Sequence, residues 1–110
     1  MPLSLETREE GDAVRIAASG ELDLVSALTF EKEVRRAEDR QPKTVILDLR
    51  RLSFMDSTGL RLILSAHARA HTRKRRLCIV LGTEPVKRLF RLAGVTRRLD
   101  IVEHPSAVAG

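Results

Sequence analysis

The residues of this sequence best suited to chemistry lie in one short run, Phe54-Met55-Asp56-Ser57-Thr58-Gly59-Leu60. A helical pattern starts at Thr58, so Ser57 is predicted to be the N-cap, whose hydroxyl accepts a hydrogen bond from one of the first free N–H groups of the helix. Asp56 then interacts favourably with the positive end of the helix dipole. A capping sequence of this kind is stable without any further function.

Ser57 is also suited to accept a phosphate group at this position. Phosphate adds about −1.5 to −2 charge at neutral pH, and the N–H groups and dipole at a helix N-terminus favour anions. Phosphorylation is therefore expected to leave the fold intact and to place new charge beside Asp56. A partner that contacts this surface then meets a charge mismatch, and ~1.4 kcal/mol of lost binding energy already weakens affinity tenfold. The residues alone leave both interpretations open, a plain cap and a modified one.

The elements around this run predict how it is positioned. Val45–Leu49 is a short apolar run typical of a strand that is buried on both faces of a parallel sheet, and residues 50–55 are predicted to form a loop. Residues 58–72 have the strongest helical pattern in the chain. One face of this helix is predicted to carry Leu60, Ile63, Leu64, Ala66 and Ala70, and the opposite face Arg61, Ser65, Arg69 and Thr72.

The N-terminal part of the chain predicts a β-hairpin followed by a helix. Polar and apolar residues alternate in 3–7 and 14–18, and Gly20 is predicted to end the second strand. The helix is predicted over residues 23–38. Its apolar side is predicted to carry Leu24, Leu28 and Val34.

The C-terminal part predicts a second core strand, a helix and a short final strand. Residues 77–81 form an apolar run, and 101–102 are predicted as an edge strand. Between them, Thr83 is predicted to cap a helix with Pro85 in its first turn, and Gly94 to end it.

The resulting order of elements, ββαβαβα(β), indicates an α/β fold. It predicts a mixed sheet of four to five strands, with parallel core strands and packed helices, because helical crossovers join parallel neighbours. A chain of 110 residues fits one domain spanning 1–110, with a core of roughly 3–103.

Composition excludes several classes of function. The single cysteine, Cys78, cannot form an internal disulfide, and it lies in an apolar run typical of a core position. No stretch approaches the ~20 apolar residues of a membrane span, and the start of the chain lacks a secretory pattern. A cytoplasmic protein without membrane insertion is therefore expected. With three Phe and no Trp or Tyr, the chain has little to stack on single-stranded nucleic acid.

The other conspicuous motifs favour structural roles. Arg73-Lys74-Arg75-Arg76 could contact phosphates, but its place between a helix and an apolar run favours a helix C-terminus and a solvated loop. His67 and His71 have a spacing that can share a metal, yet both fall toward the apolar side of the predicted helix, where packing is expected. No catalytic constellation or phosphate-cradling glycine loop can be assembled, so neither enzymatic activity nor a metal or other cofactor is expected.

The chain resembles the STAS domains, in particular the bacterial anti-sigma factor antagonists, over roughly residues 5–103. The resemblance rests on Gly20-Glu21-Leu22-Asp23, on Val45–Leu49, on the run 54–60 and on residues 85–90 followed by Ala93-Gly94-Val95. Its most specific part is Asp-Ser-Thr-Gly-Leu. A single STAS-like domain is the fold that this resemblance implies.

The resemblance also implies a role for Ser57. In that family the matching serine is phosphorylated by an anti-sigma factor that is also a serine kinase. The unphosphorylated antagonist binds this partner and frees a sigma factor, whereas the phosphorylated form lets go until a serine phosphatase resets it. Thr58 is a second candidate acceptor, ranked below Ser57.

The partner-binding surface implied by the resemblance surrounds this serine. Arg61 departs from the small residue that many family members have, and it can pair with phosphate or with an acidic partner, or simply be solvated. The implied partner-binding residues are Asp23, Asp56, Ser57, Thr58, Gly59 and Arg61.

Two alternative functions remain to be separated from this one. In a non-switching STAS subunit of a transporter or lipid-transport complex, Ser57 would only cap a helix. A nucleic-acid-binding module could use the arginines, but no groove-reading motif is recognisable, so no direct nucleic-acid partner is expected.

Overall fold

Residues 1–108, which the computed structural model describes, form one five-stranded sheet and three α-helices. In chain order the elements are β1 (Ser4–Glu10), β2 (Ala13–Leu22), α1 (Ala27–Asp39), β3 (Thr44–Met55), α2 (Ser57–Thr72), β4 (Arg76–Leu81), α3 (Glu84–Leu92) and β5 (Asp100–Val102), followed by a short 3-10 helix at Pro105–Ala107. The strands lie in the order β1-β2-β3-β4-β5. β1 and β2 pair antiparallel and all other neighbours pair parallel, which confirms the predicted α/β fold with a mixed sheet. Residues 109 and 110 of the predicted domain lie outside the described residues.

The three helices pack on one face of the sheet. Each connects two parallel strands, because the chain must return to the same end of the sheet before the next strand begins. Phe30 of α1, Ile63 of α2 and Phe90 of α3 belong to one apolar cluster with Leu47 and Ile79 of the central strands. All five side chains are at most 1% exposed, so this cluster is the main core.

A smaller apolar cluster lies on the opposite face of the central strands. It consists of Ile46, Cys78 and Val80, with Val108 packed against it. Burial, reinforced by the nearby negative charge of Asp100, raises the pKa of the Cys78 thiol to about 11. The thiol is therefore un-ionised at neutral pH, and the prediction that Cys78 is an ordinary core residue is confirmed.

The two strands that lead to the Ser57 run are longer than predicted. β2 does not end at Gly20 but continues to Leu22, and residues 50–55, predicted as a loop, form the second half of β3. The β2–β3 pairing shifts register between Ala17 and Ser19 and again just after Gly20. Each shift breaks the alternation of inward and outward side chains, so this stretch of sequence shows no strand period.

The start of α1 also differs from the prediction. The helix begins at Ala27 rather than at Asp23, because the Asp23 carboxylate accepts hydrogen bonds from two backbone N–H groups that follow it and holds the chain in a turn. Leu24 and Leu28, predicted to share the apolar side with Val34, are 75% and 61% exposed. Of the three, only Val34 is buried in the core.

The boundaries predicted for α3 are confirmed. Thr83 is the N-cap residue, although its hydroxyl donates to the carbonyl oxygen of Leu52 at 2.7 Å and accepts no hydrogen bond from the helix N–H groups. Gly94 follows the helix with φ of +70°, a conformation that glycine adopts without steric cost. The Thr83 hydrogen bond fixes the start of α3 to the second half of β3.

The basic tract after α2 has structural partners. The Arg75 guanidinium donates to the carbonyl oxygens of Pro42 and Glu38, at 3.1 and 3.3 Å. Arg76 forms an ion pair with Asp100 at 2.7 Å. These contacts tie the loop to α1 and β5, as the structural interpretation of the tract predicts.

Substitution of one buried and one exposed leucine tests which of the two side chains contributes to the core. Leu49→Ala removes a fully buried side chain and is expected to lower the free energy of unfolding by about 2–5 kcal/mol. Leu28→Ala, at a position that the sequence placed on the apolar side of α1, should change it by less than about 0.5 kcal/mol because the side chain is exposed. Urea unfolding followed by circular dichroism measures both, and similar losses would contradict the assignment of Leu28 to the surface.

Candidate functional site

The Ser57 run lies where the parallel strands β2 and β3 end. Leu22 and Met55 are the last paired residues of these strands, and the backbone N–H of Asp56 donates to the carbonyl oxygen of Leu22 at 3.2 Å. The carboxyl ends of parallel strands are the usual place for binding sites in open α/β sheets. The start of α2 is therefore fixed to the end of a neighbouring strand.

Asp56, and not Ser57, is the N-cap of α2. Its backbone is extended, and its carboxylate oxygen Oδ1 accepts hydrogen bonds from the N–H groups of Thr58 at 2.9 Å and Gly59 at 3.1 Å. Ser57 is the first residue of the helix, so its prediction as the cap is wrong. Aspartate and serine are comparable caps, and a sequence pattern does not locate a helix boundary to one residue.

The position of Ser57 leaves its hydroxyl accessible. The residue is exposed, and within the described part of the chain its hydroxyl makes no hydrogen bond. Thr58, the second candidate acceptor, is half-buried. Of the two hydroxyls, that of Ser57 is the better placed to meet an incoming phosphoryl donor.

The electrostatic surroundings of Ser57 differ from those expected. Two of the helix N–H groups that were expected to face a phosphate already bind the Asp56 carboxylate. A phosphate on Ser57 would thus lie beside a negative charge, with the helix dipole as a smaller compensation. Arg61 is exposed and lies four residues after Ser57, the spacing at which helix side chains are neighbours. It is the nearest cation in sequence that could pair with such a phosphate.

Asp23 shapes the turn next to the site. Its Oδ1 accepts hydrogen bonds from the N–H groups of Val25 at 3.0 Å and Ser26 at 3.1 Å, and the Ser26 hydroxyl donates to the carbonyl oxygen of Glu21 at 3.0 Å. Because Asp23 follows Leu22 directly, this turn leaves the sheet at the same end of the strands as Ser57. The Asp23 carboxylate is engaged by the backbone, so its contribution to a partner surface is mainly to hold the turn.

Gly59 allows α2 to approach the strand ends closely. A Cβ atom at this position would lie 2.8 Å from the Cγ atoms of both Leu22 and Met55. Gly59 is buried, and its place in the predicted surface is therefore indirect. It sets how near Ser57 sits to the ends of β2 and β3.

The turn after β2 and the first turn of α1 expose large apolar side chains, two of which, Leu24 and Leu28, the sequence had suggested for the core. Leu24, Val25 and Leu28, called the apolar loop below, are 75%, 92% and 61% exposed. Phe54, 43% exposed, pairs in register with Glu21 at the end of the neighbouring strand. Single exposed apolar residues are common, but several close together at the edge of a site are typical of a binding surface. Helical periodicity placed Leu24 and Leu28 on the apolar side because it does not show that the helix begins only at Ala27 or that nothing covers its first turn.

The remaining candidates do not form a site. His67 is half-buried, while His71 is exposed, contrary to the prediction that both fall toward the apolar side. The described residues contain no group of three or more side chains that could hold a metal ion. In the same part of the chain, no helix has the length and apolar character needed to cross a membrane.

Comparison of the sequence with known proteins identifies a family, and comparison of the structure identifies a shared fold. The family model of the STAS domain matches residues 4–107. The anti-sigma-B factor antagonist of Listeria monocytogenes is 31% identical over 94% of this chain and 89% of its own length.

Two solved structures show the shared fold. An anti-sigma factor antagonist from Mycobacterium paratuberculosis superimposes with a TM-score of 0.89 at 17% identity, over 96% of this chain and 90% of that one. The phosphorylated form of SpoIIAA, a cell fate determinant of Bacillus, gives 0.73 at 21% identity over 96% of both chains.

The assignment of the cap to Asp56 can be tested by stability. Asp56→Ala should lower the free energy of unfolding by about 1 kcal/mol because two N–H groups lose their acceptor. Asp56→Asn keeps a side-chain oxygen and should retain most of the wild-type stability. Ser57→Ala should stay within about 0.5 kcal/mol of the wild type. If urea unfolding showed a larger loss for Ser57→Ala than for Asp56→Ala, the cap would have to be reassigned to Ser57.

Proposed function

The chain belongs to the STAS domain family, and we propose that it is an anti-sigma factor antagonist that is switched by phosphorylation of Ser57. The observation that carries this is the exposed Ser57 hydroxyl at the first position of α2, next to a cap formed by another residue. We propose that residues 1–110 act as one cytoplasmic binding unit, with a regulatory and not a catalytic role.

The switch has two states that differ by one phosphoryl group on Ser57. Unphosphorylated, the chain binds an anti-sigma factor with serine kinase activity and thereby releases a sigma factor. In the complex the Ser57 oxygen attacks the γ-phosphorus of ATP, the bond to the β-phosphate oxygen breaks, the hydroxyl proton is lost and ADP leaves. The phosphoserine form dissociates, and a serine phosphatase hydrolyses the ester to restore the first state.

The surroundings of Ser57 suit a switch that acts through charge and not through a change of fold. The start of α2 is held by the Asp56 cap, by the hydrogen bond to Leu22 and by close packing at Gly59. A phosphate adds about −1.5 to −2 charge beside the Asp56 carboxylate on this fixed frame. Burying that charge against a partner without a matched cation costs several times the ~1.4 kcal/mol that corresponds to a tenfold loss of affinity.

The apolar loop supplies contact area for the same partner. Leu24 and Val25 lie in the turn that leaves the sheet at the end that also presents Ser57, Leu28 follows in the first turn of α1, and all three are exposed. Burial of apolar surface is the dominant favourable contribution in most protein–protein association. The anti-sigma factor would bury this loop while its active site reaches Ser57.

The relatives support this assignment. The similar Listeria protein is an anti-sigma-B factor antagonist, and the Bacillus protein with the same fold has been solved in phosphorylated and unphosphorylated forms. A fold that accommodates phosphate in one protein is compatible with the same modification here.

Phosphorylation of the purified chain tests the site. An anti-sigma kinase encoded in the same genome, supplied with ATP, is expected to add one phosphate, located on Ser57 by tandem mass spectrometry. Ser57→Ala should accept none, whereas Thr58→Ala, the matched control, should still accept one because Ser57 is unchanged. Equal modification of Ser57→Ala and the wild type would refute the assignment. Absence of modification, together with copurification in a membrane complex, would instead support the non-switching subunit.

Binding to the same kinase tests the surface. Ser57→Asp should weaken the complex, because it adds charge beside Asp56, although a carboxylate mimics phosphate imperfectly. The double variant Leu24→Ser, Val25→Ser should weaken it roughly tenfold or more by removing buried apolar contact.

Leu92→Ser serves as the matched control for the double variant. Leu92 is 73% exposed in the last turn of α3, so its loss should leave affinity unchanged. Surface plasmon resonance gives all four dissociation constants. If the double variant bound as tightly as Leu92→Ser, the apolar loop would not be part of the interface.

A further inference from the structure

The positive charge of the chain is concentrated in one segment. Residues 73–100 contain nine of its 20 lysines and arginines but only two of its 15 acidic residues. This segment therefore has a formal charge of +7, whereas the rest of the chain has a formal charge of −2. A charge asymmetry of this kind is typical of chains that contact a polyanionic surface, either a nucleic acid or a membrane.

The fold places much of this charge at the end of the strands opposite Ser57. Since β3, β4 and β5 are parallel, α2 and α3 each return the chain from the Ser57 end to the start of the next strand. The connections 73–75 and 93–99 therefore lie side by side, where β4 and β5 begin. An ion pair between Arg76 and Asp100, at 2.7 Å, joins the starts of these two strands.

Four side chains of these connections, called the basic end below, are exposed: Arg73, Lys74, Arg97 and Arg98. Within the described residues, none of the four has a carboxylate within 4 Å. Their charges are thus balanced by solvent and counterions only. A negatively charged partner can bind them without first displacing a carboxylate of the chain.

α3 extends this positive surface along the outside of the molecule. Lys87 and Arg88 are exposed, and neither has a carboxylate partner in the part of the chain that the structure describes. Arg91 is the exception, since it pairs with Glu84, the one acidic residue of the helix. Val86 and Phe90 face the core, so the outward face of α3 is basic and has no exposed aromatic ring.

Leu92 adds an apolar side chain to the same end. It is 73% exposed in the last turn of α3, just before the connection that carries Arg97 and Arg98. Arg88 lies one turn earlier on the same side of the helix. A single exposed leucine is common, but here it is flanked by cations without partners. This combination suits a surface that is negatively charged outside and apolar beneath.

The acidic residues at this end of the strands do not neutralise the basic end. Glu9, Glu10 and Asp12 belong to the β1–β2 hairpin, and each forms an ion pair with another cation there. β3 separates this hairpin from β4 in the sheet. Asp39, in the last turn of α1, has no cation within 4 Å among the described residues. The positive surface is thus confined to the side of β4, β5 and α3.

The Ser57 end carries carboxylates instead. Asp23, Asp56 and Glu103 follow the ends of β2, β3 and β5 directly. The field of an anionic surface attracts the basic end and repels these carboxylates. A chain bound in this way therefore presents Ser57 and the apolar loop to the solvent, where a protein partner can still reach them.

We propose that the basic end and the outward face of α3 bind reversibly to the surface of a membrane that contains anionic lipids. Basic side chains near such a surface each contribute to binding, and they need no partner in a fixed position. Leu92 enters the layer between head groups and acyl chains, as apolar side chains of peripheral helices do. A nucleic acid offers the same phosphate charge but no apolar layer for Leu92.

Cosedimentation of the full chain with lipid vesicles at low ionic strength tests this. Vesicles of phosphatidylglycerol and phosphatidylcholine in equal amounts are expected to bind the chain, whereas vesicles of phosphatidylcholine alone are not. Salt should release it, because counterions screen exposed charges. Ser57→Ala should bind as the wild type does, since the proposal does not depend on phosphorylation of Ser57.

Substitutions locate the binding surface. The double variant Arg97→Gln, Arg98→Gln should bind the anionic vesicles roughly tenfold more weakly or worse, and Leu92→Ser severalfold more weakly. The matched control is Arg8→Gln, Arg51→Gln, which removes the same charge from exposed positions on β1 and β3 and should stay close to the wild-type affinity. Circular dichroism checks that each variant is folded.

Three results would overturn the assignment. The first is equal binding of the wild type to anionic and neutral vesicles, or binding to neither. The second is an equal loss of affinity in both double variants, since the overall charge of the chain would then explain binding. The third is retention on duplex DNA that requires Arg97 and Arg98, without binding to vesicles, which would assign this surface to a nucleic acid. None of these results bears on the phosphorylation of Ser57, which its own test decides.

Discussion

The parallel pairing of β2 with β3 is the interaction on which the rest of the structure depends. It extends from the start of both strands to Leu22 and Met55, where the N–H of Asp56 continues it by one more hydrogen bond. Two segments therefore leave the sheet side by side, the turn that begins at Asp23 and the helix that begins at Ser57. The proposed interface exists only because this pairing brings together residues more than thirty positions apart in the chain.

The sequence predicted that Ser57 would cap α2 and also accept phosphate, whereas in the structure Asp56 is the cap. Asp56 satisfies the N–H groups at the start of α2, and Ser57 is left exposed without a structural duty. The hydrogen bonds of the cap are therefore made by the Asp56 carboxylate and do not involve the Ser57 oxygen.

The two faces of the sheet differ in what covers them. The helices cover one face, whereas on the other a small apolar cluster around Cys78 lies against the C-terminal segment. The rest of this second face, over β1, β2 and the end of β3, is polar and rich in arginine. The first register shift in the β2–β3 pairing leaves the consecutive residues Arg50 and Arg51 both exposed.

The sequence by itself determined the order of the elements, the mixed sheet, the buried strands, the core position of Cys78 and the ends of α3, because these follow from local periodicity and from residues such as Gly94. A short motif and a family resemblance also singled out Ser57 as the residue for which phosphorylation is proposed. The tertiary structure decided which residue caps α2, where β2 and β3 end, and that Leu24 and Leu28 are exposed. These features depend on hydrogen bonds and packing between distant segments. A helical wheel shows that apolar residues share a side, but only the position of the neighbouring strands decides whether anything covers it.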